Sequence, residues 1–174
     1  GIQFNNYGAV VINYQLELSI NNSTGTHSGS YTNDGGILTG TANVQITGPA
    51  FVNNGDVTLS DLTFSGAAAQ TINGDGNIAT LSIENGAGLT ISGTQTFTTL
   101  VDLVNGNISA TGPDGIIVTG SITNASDNSF IVGKLTRSFG LGNSSLDFPI
   151  GKFYYAPLSI DMTGVSGALN VTTA

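Results

Sequence analysis

The sequence predicts an all-β chain wound as a right-handed parallel β-helix, a β-solenoid with coils of about 19 residues, ending in a short β cap or antiparallel module. Three observations predict it. Gly36, Gly55, Gly74, Gly93 and Gly112 recur at a spacing of 19 residues, four times running. Apolar residues fall in columns in the same register: Leu59, Ile78, Phe97 and Ile116 in one, Leu62, Leu81 and Leu100 in another. Helix formers are scarce, and no window sustains a 3.6-residue period.

A coil of this length makes short strands joined by tight turns and cannot bury its apolar side alone. Stacking coils ~4.8 Å apart satisfies the backbone through parallel ladders and lines identical positions into interior stacks. Further columns follow the same rule. Phe64 and Ile83 share one, with Leu103 and Ile122 displaced by one position; Phe51, Leu89 and Ile108 share the next, with Ile72 two places off. The segments Ala79–Ile83 and Leu89–Ser92 alternate apolar and polar residues with the period of two that a half-buried strand requires.

Taken in order, residues 1–36 read as N-terminal strands and a polar loop leading into the solenoid. Gly8–Ile20 supplies one or two strands, and the Ser/Thr/Asn/Gly-rich run Asn21–Gly36 reads as a loop off the stack. Residues 37–131 carry the coils. After Ile131 the register breaks, and residues 132–174, which hold all three cations, Lys134, Arg137 and Lys152, read as a C-terminal cap or the start of a next β-module. Both ends read as cut from patterned sequence, as in a piece of a longer chain.

The last quarter also carries a resemblance. Gly133, Leu135 and Arg137, followed by Phe148, Pro149, Gly151, Tyr155, Pro157, Leu158 and Ile160, form a "GxLxR…FPxG…Y.PL.I" pattern after repeats of the "LTISGTQTFTTLVDLVNGNISATG" kind. This arrangement, over roughly residues 70–162, resembles a recurrent segment of the large adhesin-like surface proteins exported by type IX-secreting, gliding-type bacteria. The resemblance implies an extracellular, cell-surface location. Its implied partners are other domains of the same long chain, other surface proteins or glycans. The implied role is a non-catalytic stalk or display scaffold. A self-assembling subunit of an extracellular filament or sheath, associating end to end, is the alternative, and a polysaccharide-binding or -cleaving β-helix is a second.

Composition excludes several classes. Net charge is −8, and residues 1–133 contain no Lys or Arg to replace the counterions of a nucleic acid. Without cysteine there are no disulfides or thiolate metal sites. No apolar run reaches the ~18–20 residues of a membrane-spanning helix, so no membrane insertion is expected.

Candidate sites are few, and no cofactor is expected. In the 19-residue register Asp56 lies one coil below Asp75, with Thr94 next and Asp114 one place displaced. Two stacked carboxylates repel unless a cation or solvent intervenes, which makes Asp56 and Asp75 weak calcium candidates. The turn lacks the spacing of known calcium loops, so a structural corner is the simpler reading. Candidates for glycan cleavage are Asp56, Asp75, Glu84 and Asp102, with Glu84 and Asp102 at neighbouring columns on successive coils. No tyrosine lies between residues 32 and 153 to hold a sugar, so no catalytic residue is expected. His27, the single histidine, reads as a solvated loop residue. Thr39, Thr58 and Thr96 suggest a flat threonine face, interrupted by Asn77 and ended by Gly115. Lys134 and Arg137 read as solvated charges that discourage strand addition, with Asp127, Asp147 or Asp161 as partners.

Overall fold

The computed structural model describes residues 2–6, 10–12, 17–19, 23–29 and 31–173. The described residues are all β, with no helix, and form a β-solenoid of about seven turns. Strands β1 (Ile2–Asn6) and β2 (Val10–Ile12) open the stack, and β3 (Glu17–Ser19), β4 (Ser23–His27) and β5 (Tyr31–Asn33) make the next turn. Two strands then suffice per turn: β6 (Ile37–Ile46) and β7 (Ala50–Asn53), β8 (Asp56–Phe64) and β9 (Gln70–Asn73), β10 (Gly76–Glu84) and β11 (Leu89–Ile91), β12 (Gln95–Asn105) and β13 (Ile108–Ala110). Another three-strand turn follows, β14 (Ile116–Val118), β15 (Ser121–Thr123) and β16 (Ile131–Gly133). The chain closes with β17 (Leu135–Phe139), β18 (Gly142–Phe148), β19 (Ile150–Gly151), β20 (Leu158–Val165) and β21 (Leu169–Thr172).

These strands build an 11-stranded sheet from β1 to β21 and an 8-stranded sheet from β2 to β19, with β18 and β20 forming a separate ribbon. All pairs are parallel except β17–β21 and β18–β20. The long strands of the first sheet bend at bulges, for example between Gly40 and Asn43, which divides that sheet into two halves.

Between the sheets, apolar positions stack as the alternation requires. One column runs Leu38, Val57, Ile78, Phe97 and Val118. A second runs Val44, Leu62, Leu81, Val101 and Ile122, a third Ile46, Phe64, Ile83 and Leu103. From the other sheet come Tyr31, Phe51, Ile72, Ile91 and Ala110. All but Ile122 are buried. Tyr31 stacks on Phe51 at 4.4 Å, and Phe51 meets Phe64 edge-on at 5.8 Å.

The register departs from a strict 19-residue ruler. Val57 pairs with Ile78, 21 positions on, whereas Val44 pairs with Leu62, 18 positions on. Ile72 therefore sits beside Phe51, two places from where a fixed repeat puts it, and Val101 rather than Leu100 continues the Leu62–Leu81 column. Extra residues are absorbed at the corner Ser65–Ala69, whose three alanines are exposed, and at the bulges. Faces keep register because a one-residue slip would turn every apolar side chain outward; corners carry no such constraint.

Two boundaries move. The described part of Asn21–Gly36 is not a loop off the stack: β4 and β5 are full members of the two sheets. At the other end, stacking continues past Ile131, since β16, β17 and β19 still pair parallel on β13, β14 and β16. Antiparallel structure begins with the β18–β20 ribbon, and β21 then lies antiparallel along β17.

Candidate functional site

The corner around Asn73–Asn77 was the strongest sequence candidate for a metal. Its glycines show why the corner is built this way. A Cβ on Gly93 would lie 2.0 Å from the Gly74 carbonyl oxygen, and one on Gly55 would lie 2.2 Å from that of Gly36. Backbone of one coil therefore packs directly on backbone of the next. Gly74 itself has φ of +97°, the left-handed region that glycine enters without steric cost.

Asp56 and Asp75 are not stacked on one another. The 21-residue coil places Asn77 beside Asp56, and the Asn77 Nδ2 donates to Asp56 Oδ1 at 2.8 Å. Asp75 stacks instead on Asn54, whose Oδ1 accepts from the Asp75 backbone N–H at 3.1 Å. Asp75 Oδ1 in turn accepts from the backbone N–H of Thr94 at 2.6 Å. The corner is an Asx ladder along the axis, Asp34–Asn54–Asp75–Thr94, and its carboxylates are engaged by neighbouring coils. Among the described residues no group of three or more His, Asp or Glu side chains comes together to hold a metal ion.

Glu84 and Asp102 are not directly opposite one another. Asp102 lies opposite Ser82, while Glu84 lies opposite Asn105. Asp102 Oδ1 accepts from Thr123 Oγ1 at 2.7 Å and from Asn124 Nδ2 at 2.6 Å. Asn124 is held at φ 58°, a left-handed conformation that asparagine tolerates and this bond secures. Asp61, which the sequence did not single out, accepts from Ser82 Oγ at 2.8 Å and Thr63 Oγ1 at 2.6 Å. The threonine column is likewise broken: Thr39 neighbours Thr58, but Thr96 neighbours Asn77 and Ile117.

His27 is not solvated. It lies in β4 beside Ile46, buried at 4% exposure, with its ring edge-on to Tyr31 at 5.9 Å. Burial pushes the Tyr31 phenol well above its ordinary value, because its anion would have no solvent. No protein-family model, curated protein or solved structure matches the chain.

Arg137 is likewise buried rather than solvated. It occupies the inward column directly after Val118, at 6% exposure. Its guanidinium donates to the Asp147 carbonyl and to the Gly120 carbonyl, both at 2.7 Å. Burial lowers its pKa, and the nearby Asp147 charge opposes that shift. The group bridges the Gly120 corner and the C-terminal end of β18, just before the chain rejoins the stack in β19. Lys134 behaves as expected of a surface cation, donating to the Pro113 carbonyl at 2.7 Å.

The residues that sequence reasoning missed are buried amides. Asn33 Nδ2 donates to Asn53 Oδ1 at 3.0 Å, and Asn53 Nδ2 donates to Gln95 Oε1 at 2.9 Å. Gln95 Nε2 returns to the carbonyls of Asn53 at 2.9 Å and Gly74 at 2.6 Å. At the opposite corner, Gln70 Nε2 donates to the carbonyls of Ile46 at 2.9 Å and Gly48 at 2.7 Å, while its Oε1 accepts from Asn85 at 2.9 Å. Asn33 and Gln70 join successive coils, and the Asn53–Gln95 bonds reach past the Gly74–Gly76 corner to the second coil, where corners leave backbone groups without ladder partners. The signal available in sequence was a polar residue at a phase where the repeat calls for an inward side chain.

Proposed function

We propose that the chain is a structural segment of a bacterial surface protein, an extracellular β-helical stalk or display scaffold without catalytic chemistry. A β-solenoid is a rigid scaffold, and the observation that carries the reading is the direction of its polar contacts. Asp56, Asp61, Asp75 and Asp102 all accept hydrogen bonds from adjacent coils, and inside the stack the side-chain amides of Asn53, Gln70 and Gln95 donate to groups on other coils. Groups engaged along the axis tie each coil to its neighbours and stiffen the stack. The cell-surface part rests on the resemblance of residues 70–162 to adhesin-like surface proteins.

Force spectroscopy tests the mechanical part. Pulled between its ends, the chain is expected to resist and then lengthen in steps of about 7 nm, the extended length of a coil of roughly 20 residues. A smooth, featureless extension overturns it. An antibody to the chain should label intact cells of the producing bacterium; labelling only after lysis overturns the surface location.

A further inference from the structure

The described aromatic rings divide sharply by exposure. Those from Tyr31 to Phe148 are buried, and Tyr155 is half-buried. Phe153 and Tyr154, adjacent in the chain, are 79% and 83% exposed. Two neighbouring rings left in solvent, on a chain that covers the others, point to a contact surface.

The turn that carries them is fixed on both sides. Gly151 pairs with Val132 in the stack and bridges antiparallel to Tyr155. The Ala156 N–H donates to the Ile150 carbonyl at 2.8 Å, and the Tyr155 ring lies 6.0 Å from that of buried Phe130. A Cβ on Gly151 would lie 2.1 Å from the Tyr154 carbonyl oxygen, so the turn closes this tightly only over glycine. Its backbone is therefore set before any ligand arrives, which lowers the entropy lost on binding.

Beside the turn lies a hollow of about 310 Å³, lined by Val132, Gly133, Ile150, Gly151, Lys152 and Ala156. Lys152 is its one charged member. Lys134 and Arg137 donate to backbone carbonyls, whereas Lys152 makes no hydrogen bond or ion pair among the described residues. Its ammonium stands 5.3 Å from the centre of the Phe153 ring, so it joins the exposed rings to the hollow. In a chain of net charge −8 it is the one Lys or Arg side chain left to meet an anion.

We propose that the turn at residues 152–154 and this hollow bind a saccharide that carries a carboxylate. Phe153 and Tyr154 offer apolar ring faces to the C–H face of a sugar. Lys152 donates to the carboxylate, and the hollow takes an adjoining sugar ring. A wholly apolar ligand needs most of its surface enclosed, which a turn this open does not provide. A sugar needs one face covered and keeps its hydroxyls in water. An anionic bilayer or a nucleic acid is held by several cations at once, and this turn has one. The proposal rests on the display-scaffold reading for its use, and on the turn's geometry alone for its chemistry.

The test is titration calorimetry of the whole chain with trigalacturonate and with galactotriose of the same linkage. Salt of about 0.15 M screens charges more than about 8 Å away, which isolates the local contact. The acid should bind at least about tenfold tighter than the uncharged sugar, the contribution of one charge-assisted hydrogen bond. Lys152→Gln should erase that preference and leave galactotriose binding in place. Phe153→Ala and Tyr154→Ala should each weaken both sugars about tenfold. All three side chains are exposed, so Tm should move by less than about 2 °C and lost binding is not lost folding. Equal affinity for the two sugars, or none for either, overturns the proposal, as does binding that survives all three substitutions. Binding to phosphatidylserine vesicles that the ring variants abolish, with no sugar bound, would assign the turn to a membrane and also overturns it. Neither force resistance nor surface labelling depends on these titrations, so failure here is distinguishable from failure of the scaffold reading.

Discussion

Replacing Asn53 by leucine tests whether the buried amides hold coils together. Asn53 has no solvent exposure and sits between Asn33 on one side and Gln95 on the other. Leucine matches its size but makes no hydrogen bond. Gln95 Oε1 then loses its donor, and the Gly55 N–H loses the Asn53 Oδ1 acceptor at 3.4 Å. Asn33 Nδ2 keeps a bond to the Asp56 carbonyl at 3.3 Å, so it is not orphaned. Two stranded buried groups cost about 1–3 kcal/mol each. The crowded corner, where a Cβ on Gly76 would lie 2.4 Å from Asn53 Nδ2, adds some steric cost for a branched side chain. The expected loss is about 3–5 kcal/mol, or a fall in Tm of roughly 6–20 °C. Urea unfolding with an unchanged m value is the assay. The double variant N53L/Q95L should lose about 1–2 kcal/mol less than the sum of the singles, because the partner left orphaned by each is then gone. A loss under about 0.5 kcal/mol for N53L, or strict additivity in the cycle, refutes the reasoning.

Four further outcomes are expected. Gly93→Ala should destabilise by about 3–5 kcal/mol in thermal melts, because the clash with the Gly74 carbonyl is backbone on backbone and cannot be relieved by a rotamer change. Arg137→Ala should cost about 3 kcal/mol and raise hydrogen exchange in residues 142–165 first, since it strands the Asp147 and Gly120 carbonyls where β18 ends against the stack. Millimolar calcium or a chelator should move Tm by less than about 1 °C. A site occupied at 100 times its Kd would add about 2.7 kcal/mol, a shift easily seen. Tyr31→Phe should remove an alkaline loss of stability. The folded phenol titrates above its ordinary value of 10.0, so the wild type's stability is full below that pH and declines as pH rises past it, and the variant's decline should be smaller by this contribution.

Much of the fold was legible because leucine, isoleucine and phenylalanine mark inward positions unambiguously. From β6 to β14 those residues announce the solenoid, and Gly36, Gly93 and Gly112 mark corners of close backbone approach. Legibility failed where inward positions are polar. In β4 and β5 the inward residues include His27, Tyr31 and Asn33, all buried, so Asn21–Gly36 read as a solvated loop although its described part alternates like any other coil. Arg137 hid the last full coil in the same way, since a charge at the phase of Val118 looks like the end of a pattern. The Asp56–Asp75 pairing failed for another reason. A fixed repeat cannot see that of three residues gained at the Ser65–Ala69 corner two are given back at a bulge, and so it stacks the wrong glycines.

The distribution of charge follows from the same geometry. The strands of the eight-stranded sheet contain no charged residue, whereas Asp56, Asp61, Glu84 and Asp102 lie on the long strands of the other sheet and Asp34 and Asp75 at a corner. In a parallel stack each outward position recurs about every 4.8 Å, so a carboxylate repeated on successive coils would face its own charge at that distance. The stack avoids this by bringing an amide, a hydroxyl or a backbone N–H of the next coil to four of them: Asn77 to Asp56, Ser82 to Asp61, Thr94 to Asp75, Thr123 to Asp102. The coil's variable length is what makes that possible. Nineteen residues throughout would have put Asp75 on Asp56; 21 puts Asn77 there and turns a repulsion into a bond between coils.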